Sequence, residues 1–599
     1  MRIENIRLKN FKVFQDLDLR NLPELAFFVG ANGTGKSTLF EVFGFLKDAL
    51  ENNVRTALQK RGGYKEMVTR GHESESIRIE IRFRMEITGK ERLVTYALTI
   101  GLEQGRPVVQ REILRYKRDS HGLPCHFLDF SRGEGYAVTN EEDFSKTDEE
   151  LDREFQTLDN PDTLAIKGIG QFRRFMAANA FRNLIENWHV SDFHIMAARQ
   201  RTEAGVAEHL SITGDNLPLV TRHIYENHRE VFDTILERMR ERVPGVQQVD
   251  AEETIDGRVV LRFQDGSFKD PFSAPYVSDG TIKMFAYLVL LYDPQPHPLL
   301  SIEEPENQLY PDLLPELAEE LRDYAWRGGG QILVSTHSPE LLDAAEVDEV
   351  FSLSKKSGCT RIHRAADDEQ IVALVDAGDP MGALWRQGFF QGHLTDQGLR
   401  PMDLVFLLEE SSACHVLKAL LPNILPTGIP HTGKSDLQQS IPRKLRNWRT
   451  PDTRFVVLHD QDANQCVDLK QALTAICRRS GRDDTLVRIA CYELEAWYFG
   501  DLEAVRTAYP KFKAAKYAEK SKYRQPDTIV KPSRELERLV PEFQKGSASR
   551  SIPKHMVIER NRSPSFRIFV EGLRELCNRV VPLDNFMIYK DIIRLDRPD

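Results

Sequence analysis

The chain has 599 residues, 41% of them hydrophobic and 29% charged, and a net charge of −10. A single core stops growing near ~250–300 residues, so several domains are expected, and this composition excludes an intrinsically disordered chain. Seven cysteines are scattered with no Cys-x-x-Cys pair, which argues against a disulfide framework or a zinc ribbon and for small buried hydrophobes.

The start, MRIENIRLKNF, alternates charged and apolar residues and lacks the apolar stretch of a signal peptide. The strongest apolar run, 284–292, is too short for a bilayer, so a cytoplasmic location and no membrane partner are expected. Residues 1–20 alternate as a strand does and would start a sheet. The apolar run 25–29 reads as a buried strand, and after residue 38 Leu39, Phe43, Leu46 and Leu50 recur at helical spacing. Between them GANGTGKST, residues 30–38, matches the phosphate-loop pattern G-x-x-x-x-G-K-[ST] in the strand-to-helix context the pattern requires. Gly30, Asn32, Gly33, Gly35 and Thr38 then form the cradle, Lys36 reaches the β- and γ-phosphates, and Ser37 ligates Mg²⁺. ATP and Mg²⁺ are the expected cofactors.

Segments 77–87 and 94–102 alternate as paired strands with 89–91 as their turn. The stretch 120–157 is mixed and acidic, and EEDFSKTDEELDREF reads as a solvated loop or helix face. From 171 to 241 the pattern turns helical, with Leu217, Val220, Ile224, Val231, Ile235 and Met239 in three- and four-residue steps, and a helical insertion is placed at about 141–245. His189, His194 and His209 lie there without a ligand spacing. Segment 259–264 returns to strand.

Three later stretches would complete a nucleotide site. YVSDGTIKM (276–284) puts a polar turn before an apolar helix, PLLSIEEPENQLYP (298–311) ends a strand in Glu303 and Glu304, and QILVSTHSP (331–339) delivers His337 to the same sheet edge. With the phosphate loop, this order of parts over about 1–364 resembles the ABC-type ATPases of the RecF and SMC kind, and more closely the overcoming-lysogenization-defect (OLD) nuclease group. The resemblance implies that Ser278 and Gly280 contact the γ-phosphate held by a second subunit, that Glu304 orients the attacking water, and that His337 senses the γ-phosphate. It thereby implies at least a homodimer. The family places Asp where this chain has Glu303, so hydrolysis is expected to be slow. For the family's glutamine loop, Gln59 and RGGY at 61–64 stay open as alternatives.

Glycines and prolines crowd 364–401, including Gly378, Pro380, Gly382, Gly388, Gly392 and Gly398, and mark 366–400 as a linker with a new domain beginning near Pro401 and running to 599. Beyond it three apolar runs each end in acids and precede a helical pattern: 404–408 at Glu409 and Glu410, 455–458 at Asp460 and Asp462, and 486–491 at Glu493 and Glu495. Such alternation implies a parallel sheet, whose ligands bind outside the carboxyl ends of the strands. In Asp460-Gln461-Asp462 the spacing puts both carboxylates on one side of an extended backbone, as a Mg²⁺ site needs.

The arrangement resembles the Toprim fold, and LLEESSACHVLKALLP, HDQDANQCVDLKQAL and RIACYELEAWYFGD look like a Toprim-related family with an E-x-E-A-W motif. That resemblance implies Glu409 or Glu410 with Asp460 and Asp462 as ligands of Mg²⁺ or Mn²⁺. Glu493 and Glu495 share a face only if the backbone stays extended there.

Residues 511–567 hold 15 Lys or Arg against 6 Asp or Glu, interleaved with Phe512, Tyr517 and Tyr523, which suits a nucleic-acid backbone with occasional base stacking. Lys434, Arg443, Lys444, Arg446 and Arg449 add positive charge, whereas HTGKS at 431–435 has no apparent preceding strand and is not read as a second nucleotide site.

The sequence thus predicts an α/β protein: an ABC-type P-loop ATPase head at 1–365 with a helical insertion, followed by a smaller Toprim-like parallel domain. The expected function is an ATP-regulated, Mg²⁺-dependent nuclease of bacterial antiviral defence. The partners expected are nucleic acid, a second copy of the chain, and a regulatory or phage-encoded protein. The alternatives are an ATPase scaffold that binds a partner without cutting and a RecF-like repair ATPase.

Overall fold

The computed structural model describes residues 2–578 except 88, 119–123, 142, 144, 145, 148, 357, 392–403, 422–426, 451 and 463. Two compact units divide the chain, Met1–Asp367 and Asp368–Asp599. Gly392, Gly398 and Pro401 lie outside the described residues, and Glu369–Asp376 and Met381–Arg386 before them are helical.

In the first unit a six-stranded sheet runs in the order His189–Ser191, Leu299–Glu303, Gln331–Thr336, Leu25–Gly30, Val350–Lys356, Cys359–Arg364. Its first five strands are mutually parallel and the last is antiparallel. Strands buried on both faces read as continuous apolar runs, as Leu25–Gly30 and Gln331–Thr336 do, each buried along its whole length. An eight-stranded antiparallel sheet holds Arg2–Phe11, Phe14–Leu19 and Ile77–Ile87 through Arg153–Thr157. The helix Lys36–Glu51 shares one apolar core with both sheets. Phe40 packs edge-on against Phe28 at 5.9 Å between ring centroids, and Leu39, Phe43 and Leu46 are fully buried.

Several expectations need correction. Residues 1–20 form a hairpin of two strands, closed by Lys12 in the left-handed region, and they belong to the antiparallel sheet. Lys90 and Glu91, expected in a turn, already pair in the strand Lys90–Glu103. Within 120–157 the segments Cys125–Ser131, Glu134–Val138 and Arg153–Thr157 are strands that extend this sheet, while the described residues of 141–152 form the expected loop. Its Glu141 is buried, accepting hydrogen bonds from the Ala177 amide at the start of the helix Met176–Glu186 and from the Tyr116 hydroxyl. Glu141 is thus a buried anion at a helix N-terminus rather than solvated charge. The stretch 141–245 is only partly helical, and it supplies the edge strand His189–Ser191 of the parallel sheet.

The second unit holds a four-stranded, fully parallel sheet in the order Thr427–Pro430, Leu404–Leu408, Arg454–Asp460, Leu486–Ala490. The order reverses between Leu404–Leu408 and Arg454–Asp460, which makes their carboxyl ends the topological switch point where ligands of open α/β sheets bind. HTGKS does follow a strand, Thr427–Pro430, too short and proline-ended to show in the apolar pattern. The fold class is thus the expected mixed α/β one, with a parallel-sheet unit following the first unit in the chain.

Candidate functional site: two carboxylate edges

The phosphate loop leaves the strand Leu25–Gly30 and enters the helix at Lys36, with Gly33 and Gly35 at φ of 79° and 98°, a region glycine enters without cost. A side chain at Gly30 would collide with Thr34 Oγ1 at 2.5 Å and with the Leu353 carbonyl at 2.9 Å, so the loop tolerates no bulk there. Lys36 is buried, donates to the Gly30 carbonyl at 2.8 Å, and lies 3.7 Å from Glu304 Oε1.

The strand Leu299–Glu303, separated from Leu25–Gly30 by Gln331–Thr336, brings Glu303 to the loop. Burial raises its pKa, a hydrogen bond from the Ser37 hydroxyl lowers it, and Asp192 and Glu304 raise it further. A hydroxyl and an underneutralised carboxylate side by side, beneath amides and an ammonium that await phosphate, are donors that fit nucleotide with Mg²⁺.

Glu304 stands at φ 41°, an uncommon conformation for a residue with a side chain, held by its amide donating to the Ser335 carbonyl at 3.0 Å. Asn307 Nδ2 donates to its Oε2 at 3.1 Å, and His337 Nδ1 is 3.6 Å from its Oε1. His337 is organised by a residue the sequence reading passed over. Glu306 accepts from the His337 amide at 2.7 Å and from Thr336 Oγ1 at 2.8 Å, and it lies 3.2 Å from His337 Nδ1. Its place in the quoted PEN triplet was the available signal.

Ser278 is exposed and caps the helix Asp279–Leu291 by accepting from the Thr281 amide at 3.2 Å, while Asp279 pairs with Arg199 at 2.5 Å. Gly280 sits in the first turn of the same helix.

In the second unit Glu409 follows Leu404–Leu408 and Asp460 ends Arg454–Asp460, so the switch point brings them together. The Asp460 amide donates to Glu409 Oε2 at 3.1 Å, and buried His459 Nδ1 is 3.1 Å from the same oxygen. The Asp460 carboxyl is pushed well above the usual carboxylate range, first by burial and then by Glu495, Glu409 and Glu410, while Lys545 pulls it down. Burial likewise pushes Glu495 up to about 7, and its Oε2 is buried with no hydrogen-bond partner. Lys545 Nζ lies 2.6 Å from Glu410 and 3.5 Å from Glu495. Nothing local in the sequence signalled Lys545 beyond its membership of a basic run.

Asp462 and Glu493 are engaged elsewhere. Asp462, at φ 51°, takes Lys434 at 2.8 Å, and Glu493 accepts from the Ser533 amide at 2.8 Å, because the backbone turns after Ala490 and a helix starts at Ala496. Two of the three aromatics expected to stack on bases are inside: Phe512 and Tyr523 are buried, and Tyr523 stacks on Phe499 at 5.4 Å, while Tyr517 is half-buried. Lys444, counted among the basic residues, is fully buried against Asp379 at 3.0 Å.

With these geometries in place, a family described as "AAA domain, putative AbiEii toxin, Type IV TA system" matches residues 25–343, and one described as a domain of unknown function (DUF4276) matches 408–574. A DNA replication and repair protein RecF from Corynebacterium jeikeium (strain K411) is 36% identical over 64 residues, 10% of this chain and 15% of the relative. Among solved structures, the head of an Smc protein bound to the C-winged helix domain of ScpA is 13% identical, with a TM-score of 0.40, over 61% of this chain and 98% of the other. The SMC head domain from Thermotoga maritima is 14% identical, with a TM-score of 0.31, over 61% and 99%. No described helix is long and apolar enough to cross a membrane.

Proposed function

Because the chain belongs to the AAA-domain family described with the AbiEii toxin and type IV TA systems, we propose that its ATPase unit governs a metal-dependent nuclease seated at the Asp460 edge. One observation carries the nuclease half: at the switch point Asp460 faces Glu409, Glu410 and Glu495, and Lys545 is the cation set against them. Carboxylates crowded until one is driven toward protonation are relieved by a divalent ion, and an all-oxygen donor set suits Mg²⁺ or Mn²⁺. When bound, such an ion supplies Lewis acidity and a more acidic water for phosphodiester hydrolysis.

Glu409 and Asp460 would hold the ion, with Glu410 or Glu495 completing the set, and Lys545, now against those two carboxylates, would be available to phosphate. Asp462 joins when Lys434 turns to the nucleic-acid backbone, and Glu493 anchors the neighbouring helix Pro532–Leu539 through Ser533. In the ATPase unit Lys36 and the loop amides bind phosphate, Ser37 and Glu303 hold Mg²⁺, Glu304 orients water, and His337, set by Glu306, reads the γ-phosphate. Exposed Ser278 and half-buried Gly280 act on the nucleotide of a second copy, so the working unit is at least a homodimer. The proposed setting is antiviral defence.

Lys545 favours one other reading, since its ammonium already sits between Glu410 and Glu495 where an ion would go. On that reading the second unit binds a partner without cutting. Incubating the purified chain with duplex DNA and with tRNA, in Mg²⁺ or Mn²⁺, with and without ATP, separates the two. The nuclease reading expects cleavage that Asp460→Asn abolishes, and the scaffold reading expects none under any condition.

A further inference from the structure

Away from both carboxylate edges, two histidines and an aspartate from distant segments meet near the edge strand His189–Ser191. His209 comes from the insertion, while Asp293 and His297 lie between the helix Asp279–Leu291 and the strand Leu299–Glu303. One ligand atom from each lies within 4.8 Å of the others. Asp293 Oδ2 is 2.8 Å from His209 Nδ1 and 3.9 Å from His297 Nε2. Tetrahedral Zn²⁺ with bonds of ~2.0–2.1 Å needs its ligand atoms roughly 3.3 Å apart, so side-chain adjustments of an ångström or so would seat it.

Three further features point to an ion. His297 Nδ1 faces the Asn187 carbonyl at 3.1 Å, and a carbonyl only accepts, so the proton sits on Nδ1 and the Nε2 lone pair is turned inward. That Nε2 is buried with no hydrogen-bond partner, on a residue only 7% exposed. Asp293 spends Oδ1 on the Gln295 amide at 2.9 Å, which leaves Oδ2 toward the imidazoles. His189 stacks on His297 with ring centroids 4.8 Å apart and fixes the ring plane. A purely hydrogen-bonded His209–Asp293 pair would leave His297 Nε2 buried and without a partner, which is costly. Lys47 adds positive potential at His189 and His297, but its ammonium is tied to the Trp188 carbonyl at 2.9 Å.

We propose that His209 Nδ1, Asp293 Oδ2 and His297 Nε2 bind a divalent first-row transition ion, Zn²⁺ foremost. Two imidazoles and one carboxylate suit it better than they suit Mg²⁺, and solvent on the half-exposed His209 side takes the fourth position. The ion replaces the proton shared between His209 and Asp293, which leaves to solvent, and it ties the insertion to the connection that feeds Glu303 and Glu304.

The test is titration of the full chain with Co²⁺, followed by its visible ligand-field band, and with Zn²⁺, followed by metal content after dialysis. One ion per chain with a tetrahedral band is expected. His209→Gln, at a half-exposed position, and Asp293→Asn should each weaken binding by about tenfold or more, while Asp460→Asn keeps the band. Absence of the band from the folded wild-type chain, or a band unchanged in both His209→Gln and Asp293→Asn, overturns the proposal.

Discussion

At the Glu303–Glu304 edge the acids lie beside a glycine loop, a helix N-terminus and the buried ammonium of Lys36, 3.7 Å from Glu304. At the Asp460 edge four carboxylates gather, and the ammonium of Lys545 lies against two of them. Both edges are carboxyl ends of parallel strands, so topology alone does not distinguish them. Charge does: at the first the buried ammonium of Lys36 stands beside the phosphate loop, whereas at the second the ammonium groups of Lys545 and Lys434 are paired with the carboxylates themselves. Acids at strand ends therefore identify a site, and the groups set against those acids identify its ligand.

The largest effect expected at the first edge comes from Glu304→Gln, which removes the carboxylate while keeping the Asn307 contact geometry. ATP turnover should fall about 10²–10³-fold, the scale of losing a positioned base, with nucleotide binding retained. Turnover measured beside equilibrium nucleotide binding checks this, and unchanged turnover takes Glu304 out of the role.

A mixing experiment sharpens the same edge. Lys36→Ala and Ser278→Arg should each lose most ATP turnover, and an equimolar mixture should recover roughly a quarter of wild type by random pairing. In a mixed dimer one of the two sites is intact. No recovery would mean that Ser278 serves the phosphate loop of its own chain.

A smaller effect concerns a carboxyl that belongs to neither edge. Glu112 is fully buried, accepts from the Ala165 and Ile166 amides and from the Tyr96 hydroxyl, and burial pushes it up to about 7. The folded state holds this proton more tightly than the unfolded state, so stability is full below the unfolded pKa near 4.5 and is lost as pH rises toward about 7. The loss is at most about 3 kcal/mol. Denaturant melts between pH 5 and 8 should show this slope, and Glu112→Gln should flatten it.

Much of the first edge was legible because its parts carry local patterns: a glycine loop between an apolar strand and a periodic helix, and acids at the end of an apolar strand. Glu306 was missed although it stood in the quoted motif, since its role depends on the neighbouring strand that brings His337 beside it. In the second unit the apolar runs gave the parallel sheet, but the even spacing of Asp460 and Asp462 assumed extended backbone, and Asp462 lies in the left-handed region. Lys545 and Glu410 are brought together by packing between segments distant in the chain, which no periodicity reports. The strands within 120–157 hid for a related reason: polar residues that cap or pair inside the fold look like solvated charge in a window.

The most direct test of the contrast between the edges is to measure metal-dependent cleavage of nucleic acid and ATP turnover in the same preparations of wild type, Asp460→Asn, and Asp460→Asn with Asp462→Asn. Cleavage should fall at least about 10³-fold in Asp460→Asn, the scale on which a catalytic carboxylate matters, with ATP turnover within about twofold of wild type. Robust metal-dependent cleavage that survives in the double variant would contradict the assignment of the cutting site to this edge.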